Sequence, residues 1–393
     1  MELQFTSEQE AFRKEIQDFL KQELPADWDG GEQDSPDKIE FSKGMSTKLA
    51  QKGWLTMNWP KEYGGQDRPK LEQMIYREEI AYNGAPGSDL GSGAVSWVGP
   101  TLILYGTEEQ KQEHLPPITR AERYWCTFYS EPGTGSDLAG LQTSAVADGD
   151  DFVVNGSKIW TSQAHYADWG WLAARTDPDA PKHRGISLML VDMKTPGITV
   201  RPVIKMTGAH EFNQVFFDNV RVPKKNLVGE LNRGWYTLAV ALDFERSGVA
   251  YSARGQRDLE TLIEYTRETK DDGGSPLSQD PVIRNKLVDM AVEIQVSRWL
   301  SYRVSWMQGE GLLPNYEASM SKVFGSELQQ RLGNTGMEIL GMYGQLAKGS
   351  KWAHLEGRVA RSYLNAFSAT IGAGTSEIQR NIIARRGLGL PRD

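Results

Sequence analysis

The 393-residue chain carries a single cysteine, Cys126, which leaves no room for an intrachain disulfide framework or a multi-cysteine metal site. Histidine is almost as scarce. His114, His165, His183, His210 and His354 are scattered without the spacing of a zinc-ligating motif, and no structural metal is expected. Basic charge is in deficit, with 44 Lys and Arg against 52 Asp and Glu and a formal net charge of −8. A nucleic-acid partner would need a basic stripe against its phosphates, and the sequence has none; the acidic excess serves solubility. No run approaches the roughly 20 apolar residues of a membrane span. The opening MELQFTSEQEAFRKEIQ has acidic residues where a targeting peptide has basic ones, and it lacks an apolar core. These absences lead to the expectation of a cytoplasmic enzyme or binding protein.

The remaining composition is that of a folded globular protein, 39% hydrophobic and 24% charged with 12 Trp and 14 Tyr, of a length that suits two or three domains. Residues 1–123 read as a helical domain. Ser7 with Glu10 forms a capping-box pattern ahead of Phe12, Ile16, Phe19 and Leu20 at helical spacing, and Pro25 is the stop. Residues 124–232 change texture. Short apolar or alternating runs such as Thr143–Ala147, Phe152–Val154, Ile159–Thr161, Ile186–Val191, Ile198–Val203 and Val215–Val222 are separated by turn signals. Asp148-Gly149 and Asn155-Gly156 predict hairpins, and the set predicts an antiparallel β-barrel or sandwich. Residues 233–393 return to helix: Trp235–Thr269 without a proline, Pro281–Gln308 with Leu287, Met290, Ile294 and Val304 in phase, then Glu317–Leu332, predicting a helical bundle.

Two Gly-rich loops draw attention. Thr127–Asp137 starts as a strand and breaks into Ser130-Glu131-Pro132-Gly133-Thr134-Gly135-Ser136-Asp137. Its glycines are wrongly spaced for a dinucleotide fingerprint, and hairpins follow where a βαβ crossover is required, so the alternatives are a plain turn loop and another kind of ligand loop. The second is Ile371-Gly372-Ala373-Gly374-Thr375-Ser376-Glu377-Ile378-Gln379-Arg380, a glycine entrance to a helix whose tightest part has no ionisable side chain.

Together with Asn155-Gly156-Ser157-Lys158-Ile159-Trp160-Thr161-Ser162 and Trp59-Pro60-Lys61-Glu62-Tyr63-Gly64-Gly65, these loops give a sequence that resembles the acyl-CoA dehydrogenase family over essentially its whole length. The resemblance implies an α+β fold with an N-terminal helical domain, a central antiparallel β-barrel and a C-terminal four-helix bundle. It also implies FAD. Phe128, Tyr129 and Ser130 are then expected at the polar edge of the flavin ring, Trp160 against the ring, Ser162 near its reactive nitrogen, Ser136 at the pyrophosphate, and Thr375 and Glu377 as contacts from the C-terminal loop. A core-packing role for Trp160 is the plainer alternative.

Such enzymes remove the α proton of an acyl-CoA with a glutamate and pass a hydride from the β carbon to the flavin. A carboxylate in an apolar pocket gains the basicity this needs, and donors must hold the thioester oxygen as charge develops. Many relatives carry the base in a Tyr-Glu-Gly-Thr loop, but this sequence has Gly372-Ala373-Gly374-Thr375 there. In isovaleryl-CoA dehydrogenase-like members the base lies on a helix of the C-terminal region. Glu245, in Ala241-Leu242-Asp243-Phe244-Glu245-Arg246, matches that position, although an isolated Glu–Arg pair would ordinarily be a solvated one. Ala373 is expected to offer its backbone N–H to the thioester oxygen, Gly372 to leave room for the acyl chain, and Asp243 and Arg246 to meet the CoA moiety. The vacancy suits a branched, cyclic, dicarboxylic or sterol-derived acyl group.

Homotetrameric relatives complete a neighbour's FAD site with an Arg-x-x-Phe-Gly segment and a Gln-Ile-Phe-Gly-Gly loop. Here Asp271-Asp272-Gly273-Gly274 and Glu338-Ile339-Leu340-Gly341-Met342 stand in those places. This resembles the large subunits of heteromeric pimeloyl-CoA and sterol side-chain dehydrogenases. The expected partners are an acyl-CoA, an electron-transferring flavoprotein, and either further copies of the chain or a paralogous subunit. A catalytically silent subunit and a flavin monooxygenase on the same fold are the competing readings.

Overall fold

A computed structural model describes residues 4–30, 35–243 and 248–391. In chain order its α-helices are α1 (Ser7–Glu23), α2 (Pro36–Gln51), α3 (Lys70–Asn83), α4 (Gly99–Tyr105), α5 (Glu108–Thr119), α6 (Gly234–Asp243), α7 (Val249–Glu268), α8 (Pro281–Gly309), α9 (Tyr316–Leu340), α10 (Arg358–Ala369) and α11 (Ser376–Ile382). Its strands are β1 (Trp125–Phe128), β2 (Ser144–Asp148), β3 (Asp151–Ser162), β4 (Trp169–Arg175), β5 (Ile186–Asp192), β6 (Ile198–Ile204), β7 (His210–Pro223) and β8 (Leu227–Val228). The described residues form two compact units, one from 1–30, 69–85 and 246–393, the other from 31–68 and 86–245.

The first unit is helical. α7, α8, α9 and α10 pack around Leu259, Leu262, Met290, Ile294, Leu328 and Leu332. α1 lies on α3, burying Phe12, Ile16 and Leu20. Arg13 bonds both Glu78 (2.8 Å) and Glu79 (2.6 Å) of α3, and the Tyr302 hydroxyl of α8 donates to Glu78. The N-cap of α1 is Thr6 rather than Ser7: its hydroxyl accepts from the Gln9 N–H, and the Gln9 side chain accepts from the Thr6 N–H, so the capping box sits one residue earlier than the sequence suggested. The helix expected over Trp235–Thr269 is two helices, α6 and α7. Gly248, at φ 70°, is the N-cap of α7, a conformation that glycine adopts without steric cost.

The second unit is built on a sheet of strand order β6-β7-β3-β2-β4-β5-β8, with β1 alongside β4. Pairing is antiparallel except between β1 and β4 and at one residue pair of β2 and β4. The expected closed barrel is not seen. β6 and β8 lie at opposite ends of the strand order, and among the described residues no pairing joins them. Phe128, Val154, Leu172, Met189, Val215 and Phe217 fill one face. The Asp148-Gly149 hairpin is present, joining β2 to β3. Asn155-Gly156 is not a hairpin turn: β3 runs through it opposite a bulge in β7. Asn155 Oδ1 accepts from the Asn219 N–H of β7 at 2.8 Å, which ties the dipeptide into the sheet.

Candidate functional site

The Ser130–Asp137 loop leaves the end of β1 and is tied back to β3. The Glu131 carboxylate accepts from the backbone N–H groups of Gln142 (2.7 Å) and Thr143 (2.8 Å) and from the Lys158 ammonium (2.8 Å). Lys158 also donates to the Tyr129 carbonyl at 3.0 Å, while the Ile159 N–H donates to the Ser130 carbonyl at 2.9 Å. Both ions are buried. Burial alone would raise the Glu131 carboxyl, but Lys158 and the two amides hold it below its ordinary value. Burial pulls the Lys158 ammonium down to about 8, against the pull of Glu131. With the Tyr129 and Ser130 carbonyls engaged inside the protein, this stretch can offer a ligand the Ser130 hydroxyl and backbone N–H groups. The Phe128 ring belongs to the core. It meets Phe217 edge-on at 5.1 Å and packs so close to Gly170 that a Cβ there would lie 2.0 Å from it.

Trp160 owes its position to a bulge. Phe152, Val154 and Lys158 point inward with the period of a strand, and Trp160 would follow them. Between Lys158 and Thr161, however, β3 gains one residue relative to β7. Thr161 therefore turns inward, at 1% exposure, and Trp160 outward, at 58%. Trp160 stands at φ 61°, a costly conformation for an aromatic residue, and its ring meets Phe212 edge-on at 5.9 Å. Ser162 closes the strand, half-buried, opposite Phe212.

A cavity of about 470 Å³ opens between the Gly-rich loop and β3, lined by Glu131, Gly133, Thr134, Gly140, Gln142 and Gly156 among others. The Thr134 hydroxyl is buried without a hydrogen-bond partner. A Cβ on Gly133 or Gly135 would meet nothing, so the loop is open where a bound group could approach its backbone. Ser136 is exposed on the same loop. An outward indole under strain, an open glycine cradle and an orphaned hydroxyl fit a flavin dinucleotide.

The C-terminal loop belongs to the helical unit. Gly372 and Ala373 are exposed, and Ala373 at φ 54° and Gly374 at φ 87° turn the chain sharply into α11. The Thr375 hydroxyl caps that helix by accepting from the Ile378 N–H, and Ala373 O accepts from the Gln379 side chain. The Glu377 carboxylate, exposed in the first turn, is held below its ordinary value by its own backbone N–H and by Thr375. Asp243 ends α6. Glu245 and Arg246 lie outside the described residues. Glu338, in the place of the expected glutamine, pairs with Lys286 of α8 in its own chain. The Asp271–Gly274 stretch is a tight turn in which Asp271 accepts from Gly274 and Ser275.

Sequence reading missed Glu131 and Lys158 as a pair. A charged residue in phase with the inward side chains of a strand was the available signal for Lys158.

The acyl-CoA dehydrogenase N-terminal, middle and C-terminal domain models match residues 6–122, 126–220 and 232–388. The acyl-CoA dehydrogenase FadE26 of Mycobacterium tuberculosis is 36% identical over 100% of this chain and 99% of its own. Among solved structures, a chain of the ChsE4-ChsE5 complex from Mycobacterium tuberculosis superposes with a TM-score of 0.90 at 37% identity, and a chain of the Tcur3481-Tcur3483 steroid ACAD with 0.89 at 34%, each covering 100% of both chains. Fold and site thus define a flavoprotein oxidoreductase acting on acyl-CoA. The chain belongs to the acyl-CoA dehydrogenase family, whose members bind FAD.

Proposed function

We propose that the chain dehydrogenates an acyl-CoA thioester to the 2-enoyl-CoA, that its acyl group is branched, cyclic, dicarboxylic or sterol-derived, and that it works beside a paralogous subunit. The carrying observation is the exposed Gly372-Ala373-Gly374 turn, which has no carboxylate, in a chain matched end to end by a steroid-type relative. When bound, FAD supplies the hydride acceptor. Glu245 takes the α proton. Ala373, already turned to positive φ, offers its backbone N–H to the thioester oxygen, and Gly372 leaves space for the acyl chain. Ser130, Ser162 and the backbone of Phe128 and Tyr129 would hold the flavin by hydrogen bonds, and Trp160 would pack against it. Ser136, Thr375 and Glu377 hold the dinucleotide, and Asp243 and Arg246 meet the CoA. Electrons leave to an electron-transferring flavoprotein.

Support for a paralogous partner comes from Glu338, which is taken up by Lys286 of its own chain where a glutamine free to reach a neighbour's diphosphate was expected, and from the two-component relatives. The test is an anaerobic titration of the purified flavoprotein with a panel of acyl-CoAs, for wild type and Glu245→Gln. One bulky thioester class is expected to bleach the oxidised flavin band, and Glu245→Gln to slow this by about 10²–10⁴-fold with FAD still bound. Bleaching at wild-type rate in the variant removes Glu245 as the base, and bleaching by short straight chains alone removes the substrate class.

A further inference from the structure

Asn213 is fully buried near the start of β7, where asparagine is disfavoured and an unpaired amide is costly. It sits in register with Thr161, at the point where β3 regains its pairing after the bulge that turns Trp160 outward. Its side chain makes three contacts. Nδ2 donates to the Thr161 carbonyl at 3.0 Å and lies 3.2 Å from His165 Nδ1, and Oδ1 lies 2.8 Å from His210 Nε2. The two imidazoles stack at 4.0 Å. Burial and the neighbouring His210 hold His165 down to about 4, so its ring is neutral and Nδ1 is free to accept. His210 donates from Nε2, and the amide is locked in the one orientation that points Nδ2 at Thr161.

We infer that Asn213 is a positioning residue for the flavin-facing indole: it pins the Thr161 carbonyl and so holds the β3 bulge that sets Trp160 outward and Ser162 beside it. This rests on the proposed flavoprotein reading. A bulge with an aromatic at positive φ has no propensity of its own to persist, and some neighbour must over-determine it. Among the described residues Asn213 is the side chain whose hydrogen bond reaches the backbone of that bulge from the facing strand. Aspartate would put a carboxylate oxygen against the Thr161 carbonyl, and serine is too short to reach Thr161 and both histidines together.

The experiment is a double-mutant cycle on the full chain with Asn213→Asp, Asn213→Ser and Trp160→Ala, reading the FAD dissociation constant and iodide quenching of Trp160 in the apoprotein, isolated by difference against Trp160→Phe. The expected result is FAD binding weakened about tenfold by either Asn213 substitution, but less than about twofold in the Trp160→Ala background, with altered Trp160 quenching and a lowered kcat at unchanged acyl-CoA KM. Additive effects in the cycle, or unchanged quenching, overturn the inference. So does a failure of both Asn213 variants to fold, which would make the residue structural. A wild type that binds no FAD instead overturns the flavoprotein reading, and the quenching comparison alone then decides the role of Asn213 at the bulge.

Discussion

Lys158 is 0% exposed, yet carries a charge that, among the described residues, Glu131 and one carbonyl offset. Burying both ions costs several kcal/mol, which a single good contact barely recovers, so the pair is better understood as fixing geometry than as adding stability. Removing one partner is another matter. Lys158→Met leaves the Glu131 carboxylate buried with amides alone and is expected to lower stability by about 3–5 kcal/mol, measurable by urea unfolding. An unchanged midpoint would show that the two amides suffice. Glu131 also predicts an acid response. Its folded value lies below the ordinary 4.5, so its stabilisation is complete above that pH and is lost as pH falls through the lower folded value. The stability gap between wild type and Glu131→Gln should therefore narrow on acidification; a gap constant from pH 7 to 3 would contradict this. Both strings that hold these residues stand out in the sequence as family motifs. The link between them was not, because 27 residues separate the partners and no local pattern joins them.

Elements were legible where periodicity is strong. α8 was read almost end to end, since Leu287, Met290, Ile294 and Val304 all face the core. β3 was not, because Asn-Gly is a turn signal only when no facing strand claims the asparagine, and here Asn219 does. The break between α6 and α7 was missed for a similar reason. Gly248 looks tolerable inside a helix until its left-handed backbone is seen. α8 also has an outer face. Val288, Val292, Val296 and Trp299 recur at helical spacing and are all exposed, an apolar stripe typical of a surface that another chain covers. Val292→Glu is expected to change chain stability by no more than about 0.5 kcal/mol while driving the assembly to smaller species, since a buried unpaired carboxylate is expensive. Light scattering that shows the wild-type mass would clear this stripe of a role in assembly.

At the scale of the whole molecule, the helical N-terminal third is shared between the two units. α1 and α3 pack with the bundle, whereas α2, α4 and α5 belong with the sheet. Sequence texture separates helix from strand but says nothing of which helix packs on which, because that choice rests on long-range partners such as Arg13 with Glu78 and Glu79. Deleting residues 1–30 is therefore expected to cost the bundle at least about 5 kcal/mol, from the lost burial of Phe12, Ile16 and Leu20 and from the loss of Arg13, which leaves Glu79 without its cation while Glu78 keeps Arg298. Calorimetry of the shortened chain checks it, and an unshifted helical transition would mean that α1 is only an appendage. The hydrogen bonds of Asn155 have one more consequence, on the covalent lifetime of the protein. Asn-Gly pairs age by deamidation, when the following backbone nitrogen closes a succinimide ring on the side-chain amide. The chain has two such pairs, Asn83-Gly84 and Asn155-Gly156. The Asn83 amide donates to the Glu79 carbonyl while the Gly84 N–H is taken up in capping α3, and the Asn155 amide is held on both its oxygen and its nitrogen by Asn219. At either place the ring cannot close until the fold lets go of the amide, so chemical ageing at these two sites is governed by local opening rather than by the intrinsic reactivity of the dipeptide.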